Sequence, residues 1–146
     1  MKTLWNANDR RELDARIARL TPEHAPLWGR MTARHMVVHL ADAVRMATGE
    51  LPIPGKKTFA RYPGIKQLLI YVVPFPKGVP TAKQLQRAPG DWGVDVADLR
   101  AMLEEFAARD RSAPWPAHPF FGPMGAHAWG VLTRRHFDHH LRQFGA

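Results

Sequence analysis

The sequence contains no cysteine, and this absence excludes disulfide bridges, thiolate ligands for zinc and cysteine nucleophiles. Serine is almost absent as well, because Ser112 is the single serine and lies among prolines, outside a G-x-S-x-G context. The 11 glycines are scattered and form no phosphate-binding loop. A metal site in this chain must therefore use histidine, aspartate or glutamate, and the eight histidines become the residues of interest.

Long apolar runs are also missing. No stretch approaches the roughly 18 apolar residues of a membrane-spanning helix, and the longest run, at residues 65–75, is interrupted by Lys66, Gln67 and Pro74. The first residues, MKTLWNANDRRELD, lack the apolar core of a secretory signal, so we expect a cytoplasmic protein without a membrane partner. A length of 146 residues, 45% of them hydrophobic, predicts a single domain over residues 1–146.

Basic residues outnumber acidic ones, 21 to 13, which gives a net charge of +8. Such a charge permits binding to anionic ligands or to nucleic acid. The basic residues are spread along the chain, however, without a block of five or more and without a nucleic-acid-binding motif. We therefore favour a charged, solvated surface and keep anion or nucleic-acid binding as an alternative.

Apolar periodicity predicts four main helices, at residues 9–20, 33–48, 94–110 and 126–144. Seven prolines between residues 50 and 93 exclude a long regular element there, although a short helix near residues 64–73 fits. Four amphipathic helices with a long middle connection predict an all-α four-helix bundle with a proline-rich crossover between the second and third main helices.

The last predicted helix carries three histidines in the segment HFDHHLRQF at residues 136–144. On a helical projection, His140 falls in the middle of the apolar face, and His136 and Gln143 fall inside it. His139 lies at the boundary of that face. The opposite face carries Arg134, Arg135, Asp138 and Arg142.

On the second predicted helix, His39 lies inside the apolar arc, whereas His35 and Asp42 lie just past its edge. Each inward-facing imidazole needs a hydrogen-bond partner or a metal ion. Two histidines one turn apart and a third on another helix fit a three-histidine metal site, whose open position is typical of catalytic zinc. The competing interpretation is a hydrogen-bonded histidine pair in the core plus one unrelated histidine.

Two segments, MVVHLADA at residues 36–43 and HFDHHLRQF at residues 136–144, resemble the DinB-like superfamily. The resemblance is closest to a small uncharacterised branch with an H-x-x-H-H-x-x-Q signature, and it covers most of the chain. Further matching segments are LWGRMTARHM at 27–36, VPFPKGVPTA at 73–82, PGDW at 89–92, and HPFFGPM with AWGVL within 118–132.

The resemblance implies an up-down-down-up four-helix bundle with a long crossover, usually dimeric. It also implies a divalent metal, often nickel or zinc, bound by one histidine of the second helix and two of the last. At the matching positions these are His39, His136 and His140. Within the narrow branch the helix-two position varies, so metal binding is not uniform there. Activities in the wider superfamily include thiol-dependent transferases, an isomerase and hydrolases.

We therefore expect a metal-dependent enzyme that acts on a small molecule by hydrolysis or thiol transfer, with zinc, nickel or iron as the ion. The open position would carry either water, whose pKa the metal lowers, or the thiolate of a low-molecular-weight thiol. The alternatives are a non-catalytic dimeric bundle module and an anion- or nucleic-acid-binding protein.

Three polar residues near the predicted ligands are further candidates. Asp42, one turn after His39, either orients a ligand imidazole and accepts a proton or is an ordinary surface carboxylate. Gln143 either lines the site and hydrogen-bonds a ligand or is a polar residue near a frayed helix end. His139 either supports the ligands from outside or is simply exposed.

Overall fold

The computed structural model describes residues 1–78 and 81–146. Over these ranges the chain is helical and contains no strand; an isolated bridge pairs His118 with Gly122. The predicted all-α class is confirmed. Val79 and Pro80, which belong to the predicted crossover and to the motif at residues 73–82, lie outside the described residues.

The helices are α1 (Ala7–Ile17), α2 (Ala33–Thr48), α3 (Ile65–Tyr71), α4 (Trp92–Ala108) and α5 (Ala126–Gln143), with 3-10 turns at Phe59–Arg61 and Lys83–Leu85.

Capping side chains explain where the observed helices begin. Helix α2 has the predicted bounds, because Thr32 accepts a hydrogen bond from His35 N and Gly49 ends the helix with a φ of 89°. Helix α1 begins before the predicted residue 9, because the Asn6 side chain accepts from the backbone N–H groups of the first turn. Helix α4 likewise begins before the predicted residue 94, where Asp91 accepts from Val94 N.

Helix α2 is the most enclosed element of the molecule. It packs against α4 and α5, α1 contacts the same two helices, and α3 packs on α5. Burying one leucine or phenylalanine side chain contributes roughly 1.5–3 kcal/mol, so this shared core supplies much of the stability. The polar residues of α2 that are carried into the core, His39 and Asp42, must therefore find partners there.

The segment before α1 crosses α5 at close range. Leu4 N donates to Gly130 O at 3.1 Å, and the Trp5 indole N–H donates to Ala126 O at 2.8 Å. A Cβ atom at Gly130 would lie 2.3 Å from the Trp5 ring nitrogen, so this crossing requires glycine in α5. The position of α5, which carries two of the candidate metal ligands, is fixed in part by this contact.

One predicted surface residue of α5 is buried. Arg134 was expected on the solvent face, but it is 5% exposed and pairs with Glu12 at 3.0 Å and with Asp138 at 3.3 Å. The reason is that α1, which carries Glu12, packs against this side of α5. Helix α5 is therefore covered on more sides than its apolar stripe indicates.

No helix in the described part of the chain is both long enough and apolar enough to cross a membrane.

Candidate metal centre

The packing of α2 against α5 brings three of the predicted histidines together. His39 belongs to α2, and His136 and His140 lie one turn apart on α5. One ring nitrogen of each lies within 4.8 Å of the other two. Across residues 1–78 and 81–146, no other group of three histidine or carboxylate side chains is close enough to share a metal ion.

The Nε2 atoms are the ring nitrogens that face one another. His136 Nε2 lies 3.1 Å from His39 Nε2 and 3.1 Å from His140 Nε2. Two histidine nitrogens bound to one tetrahedral zinc ion are about 3.3 Å apart, since each zinc–nitrogen bond is about 2.0–2.1 Å. The three rings therefore have the spacing of ligands that share one ion.

The ring of His39 is oriented by a backbone carbonyl. His39 Nδ1 lies 3.3 Å from Leu85 O, in the 3-10 turn that contacts α2. A carbonyl oxygen only accepts hydrogen bonds, so Nδ1 of the neutral ring carries the hydrogen. Nε2 of His39 therefore keeps its lone pair and directs it toward His136.

The ring of His140 is oriented in the same way by an amide. His140 Nδ1 lies 2.9 Å from Gln143 Oε1, and Gln143 Nε2 donates to Trp28 O at 2.8 Å. Because the Trp28 carbonyl only accepts, it fixes which end of the Gln143 amide faces His140. His140 Nδ1 therefore donates to Oε1, and its Nε2 lone pair also points at His136.

His136 lies between these two lone pairs and cannot satisfy both. A hydrogen on its Nε2 reaches one acceptor, which leaves the other without a donor; without that hydrogen, three lone pairs face one another. Leaving a buried polar atom unpaired costs about 1–3 kcal/mol. A cation at the point where the three nitrogens converge would satisfy all of them.

The pKa values favour an ion over a shared proton. Burial lowers the pKa of His39, with the Leu85 carbonyl and the Asp42 charge opposing it. Burial and the neighbouring imidazoles lower the pKa of His136 well below its usual value. Burial, helped by His39, lowers the pKa of His140 to about 3. All three rings are therefore neutral near pH 7, and the neutral ring is the form that binds metals.

The three further candidates have different surroundings. Gln143 is buried and hydrogen-bonds His140, as described above. His139 is half-buried, its ring centroid lies 5.2 Å from that of His140, and burial lowers its pKa. Asp42 is only 4% exposed, so it is not a surface carboxylate. It accepts from Arg45 at 3.0 Å and from Arg87 at 3.2 Å, while the His39 imidazole uses Leu85 O instead.

Sequence reasoning identified Gln143, which orients His140, but missed the two backbone carbonyls that orient His39 and hold Gln143. Leu85 O and Trp28 O are backbone carbonyls, and a backbone group leaves no signal in residue type. It also missed Phe75, whose ring centroid lies 6.1 Å from that of His136 and covers one side of the cluster. The motif at residues 73–82 contains Phe75, but nothing in the sequence distinguishes a phenylalanine that lines a site from one that only packs against its neighbours.

The fold and the site together define a helical protein with a three-histidine cluster able to hold a metal ion. No protein-family model matches the chain, and neither a curated protein nor a solved structure matches it.

Proposed function

We propose that this chain is a metal-dependent enzyme in which His39, His136 and His140 bind one divalent transition-metal ion. The observation that carries the proposal is the convergence of three Nε2 atoms, two of which have lone pairs fixed by Leu85 O and Gln143. A cluster built only to hold the core together would pair each acceptor with a donor.

We further propose membership of the DinB-like superfamily, with its up-down-down-up four-helix arrangement, long crossover and homodimer. The resemblance supports this through the segments around His39 and His136, which the structure places on two helices in contact. Leu68 in α3 and Val72, the residue that follows α3, are 50% and 65% exposed, and this apolar surface is available for a dimer contact. Light scattering in solution should give twice the chain mass; a monomer at all concentrations would remove the dimer from the proposal.

The proposed reaction is hydrolysis of a small molecule, or transfer of a low-molecular-weight thiol to one, with that thiol as the co-substrate. When bound, a divalent ion supplies Lewis acidity and lowers the pKa of a coordinated water or thiol. The chain itself holds the ligand rings through Leu85 O and Gln143, and the aromatic ring of Phe75 limits water at the cluster. Three nitrogen donors without thiolates suit zinc and nickel, and iron as well.

Metal analysis of the untagged protein tests the proposal directly. After incubation with zinc or nickel and removal of excess metal, we expect about one ion per chain, by the three-ligand stoichiometry of such sites. His136→Ala and His140→Ala should lose it. The matched control is His35→Ala, because His35 lies on α2 one turn before His39 but is exposed and bonds Thr32.

The outcome then separates two functions. Stoichiometric metal in the wild type and in His35→Ala, lost in the other two variants, justifies assays of hydrolase and thiol-transfer substrates on loaded and metal-free protein. A wild type that binds no metal would make the cluster a packing feature, and the non-catalytic bundle module would become the better interpretation.

A further inference from the structure

A cleft of about 320 Å³ lies beside the histidine cluster. His139 and Phe75 both line the cleft, and the Phe75 ring centroid lies 5.9 Å from that of His139 and 6.1 Å from that of His136 in the cluster. The cleft combines aromatic and charged side chains from three parts of the chain. Its lining consists of Trp28, Pro74, Phe75, Lys77, Arg135, Asp138, His139 and Arg142.

The charges that line the cleft do not cancel. The lining includes three cationic side chains, Lys77, Arg135 and Arg142, and a single carboxylate, Asp138. That carboxylate already pairs with Arg142 at 2.8 Å, with Arg16 at 2.7 Å and with Arg134 at 3.3 Å. One carboxylate therefore serves three guanidinium groups. In the described residues, neither Lys77 nor Arg135 has a carboxylate within 4.0 Å, so the cleft carries excess positive charge.

The two cations without carboxylates are held in place by other contacts. Lys77 Nζ lies 4.3 Å from the centroid of the Trp28 ring, over its face. The Arg135 guanidinium stacks on Phe75 at 5.2 Å and donates to the carbonyls at the end of α3, including Val73 O at 2.5 Å. Both therefore present a positive charge next to an aromatic surface, and neither charge is neutralised by the protein.

We propose that this cleft is the binding subsite for a small organic anion, an aryl or otherwise planar molecule with a carboxylate or phosphate. The anionic group would be held by Lys77 and by Arg142, since Arg142 shares the Asp138 carboxylate with Arg16 and Arg134. Arg135 would add positive charge beside Phe75, and the planar part would lie between Trp28 and Phe75. As the substrate site of the proposed enzyme, this inference rests on the proposed function, since the cleft shares Phe75 and His139 with the immediate surroundings of the cluster. Anion binding by the cleft, in contrast, depends only on the residues that line it and not on a bound metal.

The cleft is tested with metal-free protein and a defined probe, benzoate, with benzyl alcohol as the neutral analogue of matched shape. Titration followed by NMR shifts should show benzoate binding in the millimolar range that weakens with added salt. Lys77→Gln and Arg142→Gln should each weaken it roughly tenfold, the value of one charged hydrogen bond. Lys57→Gln, which removes an exposed lysine outside the cleft, should leave it unchanged.

Phenyl phosphate in a parallel titration identifies the preferred anionic group, since both probes carry the same ring. The inference is overturned if benzoate does not bind, if benzyl alcohol binds equally well, or if neither cleft variant weakens binding. His136→Ala separates this result from the proposed function. That variant should lose metal binding and keep benzoate binding. If the wild type binds benzoate but no metal, the anion subsite is supported and the proposed metal-dependent enzyme is not.

Discussion

His118 and His140 lie in different parts of the molecule, yet burial lowers the pKa of each to about 3. His118 belongs to the loop before α5, where its Nδ1 accepts from Phe120 N at 3.1 Å and from Phe121 N at 3.3 Å. Its ring centroid lies 5.2 Å from that of Trp129, in a packed aromatic contact. His140 instead directs an acceptor nitrogen at a second imidazole, 3.1 Å away.

The comparison shows that a depressed histidine pKa does not by itself identify a site. Both imidazoles are neutral because water is excluded, and neutrality is as useful for accepting backbone N–H groups as for binding a metal ion. The direction of the free lone pair separates the two roles. His118 uses its acceptor nitrogen in the loop, whereas the cluster of His39, His136 and His140 has acceptors without matching donors.

The largest predicted difference between the two regions is the response of stability to metal. Zinc or nickel at about 100 times its Kd should stabilise the wild type by about 2.7 kcal/mol. For a chain of this size that raises Tm by roughly 5–10 °C. His118→Ala should melt lower than the wild type, because it removes a packed ring, but should keep the full shift. His136→Ala should show none.

Thermal melts with and without metal, and with a chelator as the reference, provide the measurement. If His118→Ala lost the shift and His136→Ala kept it, the assignment of the two regions would be reversed. A shift of equal size in both variants would point to metal binding elsewhere on the chain.

A smaller effect is predicted for the group that orients His140. Gln143→Leu removes both the hydrogen bond to His140 Nδ1 and the one to Trp28 O, while all three ligands remain. Mutating the hydrogen-bond partner of a metal ligand typically weakens metal binding about 10–100-fold. The variant should therefore bind one ion per chain with a Kd for the metal raised by that factor. Competition with a chromogenic chelator measures the Kd. An unchanged Kd would mean that packing alone orients the ring.

The helical class and the three convergent histidines could be predicted because both depend on periodicity. Side chains at i and i+4 share a helix face whatever surrounds the helix, so His136 and His140 had to point the same way. The partners of buried polar residues could not be predicted, since they come from distant segments. On a single-helix projection Arg134 falls on the solvent face and Asp42 just past the edge of the apolar arc. In the structure Glu12 and Arg87, from elsewhere in the chain, enclose them.

The helix ends show the same limit on a smaller scale. The bounds of α2 followed from Thr32 and Gly49, which are unambiguous capping residues. For α1, the apolar stripe predicted a start at residue 9, but the Asn6 side chain starts the helix before its first core residue, Leu13. Apolar patterns locate the buried middle of a helix, while hydrogen bonds at its first turn decide where it begins.

A last prediction concerns pH, and the two regions differ in their response only when metal is present. The pKa values of His118 and His140 are lower in the folded chain, about 3, than the ordinary value of 6.5. Between these pH values the unfolded chain binds more protons, so the stability of the metal-free protein is full above pH 6.5 and falls as the pH drops toward 3. Each group contributes a slope of roughly 1.4 kcal/mol per pH unit.

Denaturant unfolding of metal-free protein at several pH values measures this slope, and His118→Gln and His140→Gln should reduce it equally. Bound metal should add stability over the pH range in which the cluster rings are neutral, because the ion binds the folded chain and not the unfolded one. His118→Gln should retain that added stability, whereas His140→Gln should lose it. Equal behaviour of the two variants with metal present would mean that the lone pairs of the cluster, like that of His118, serve only the fold.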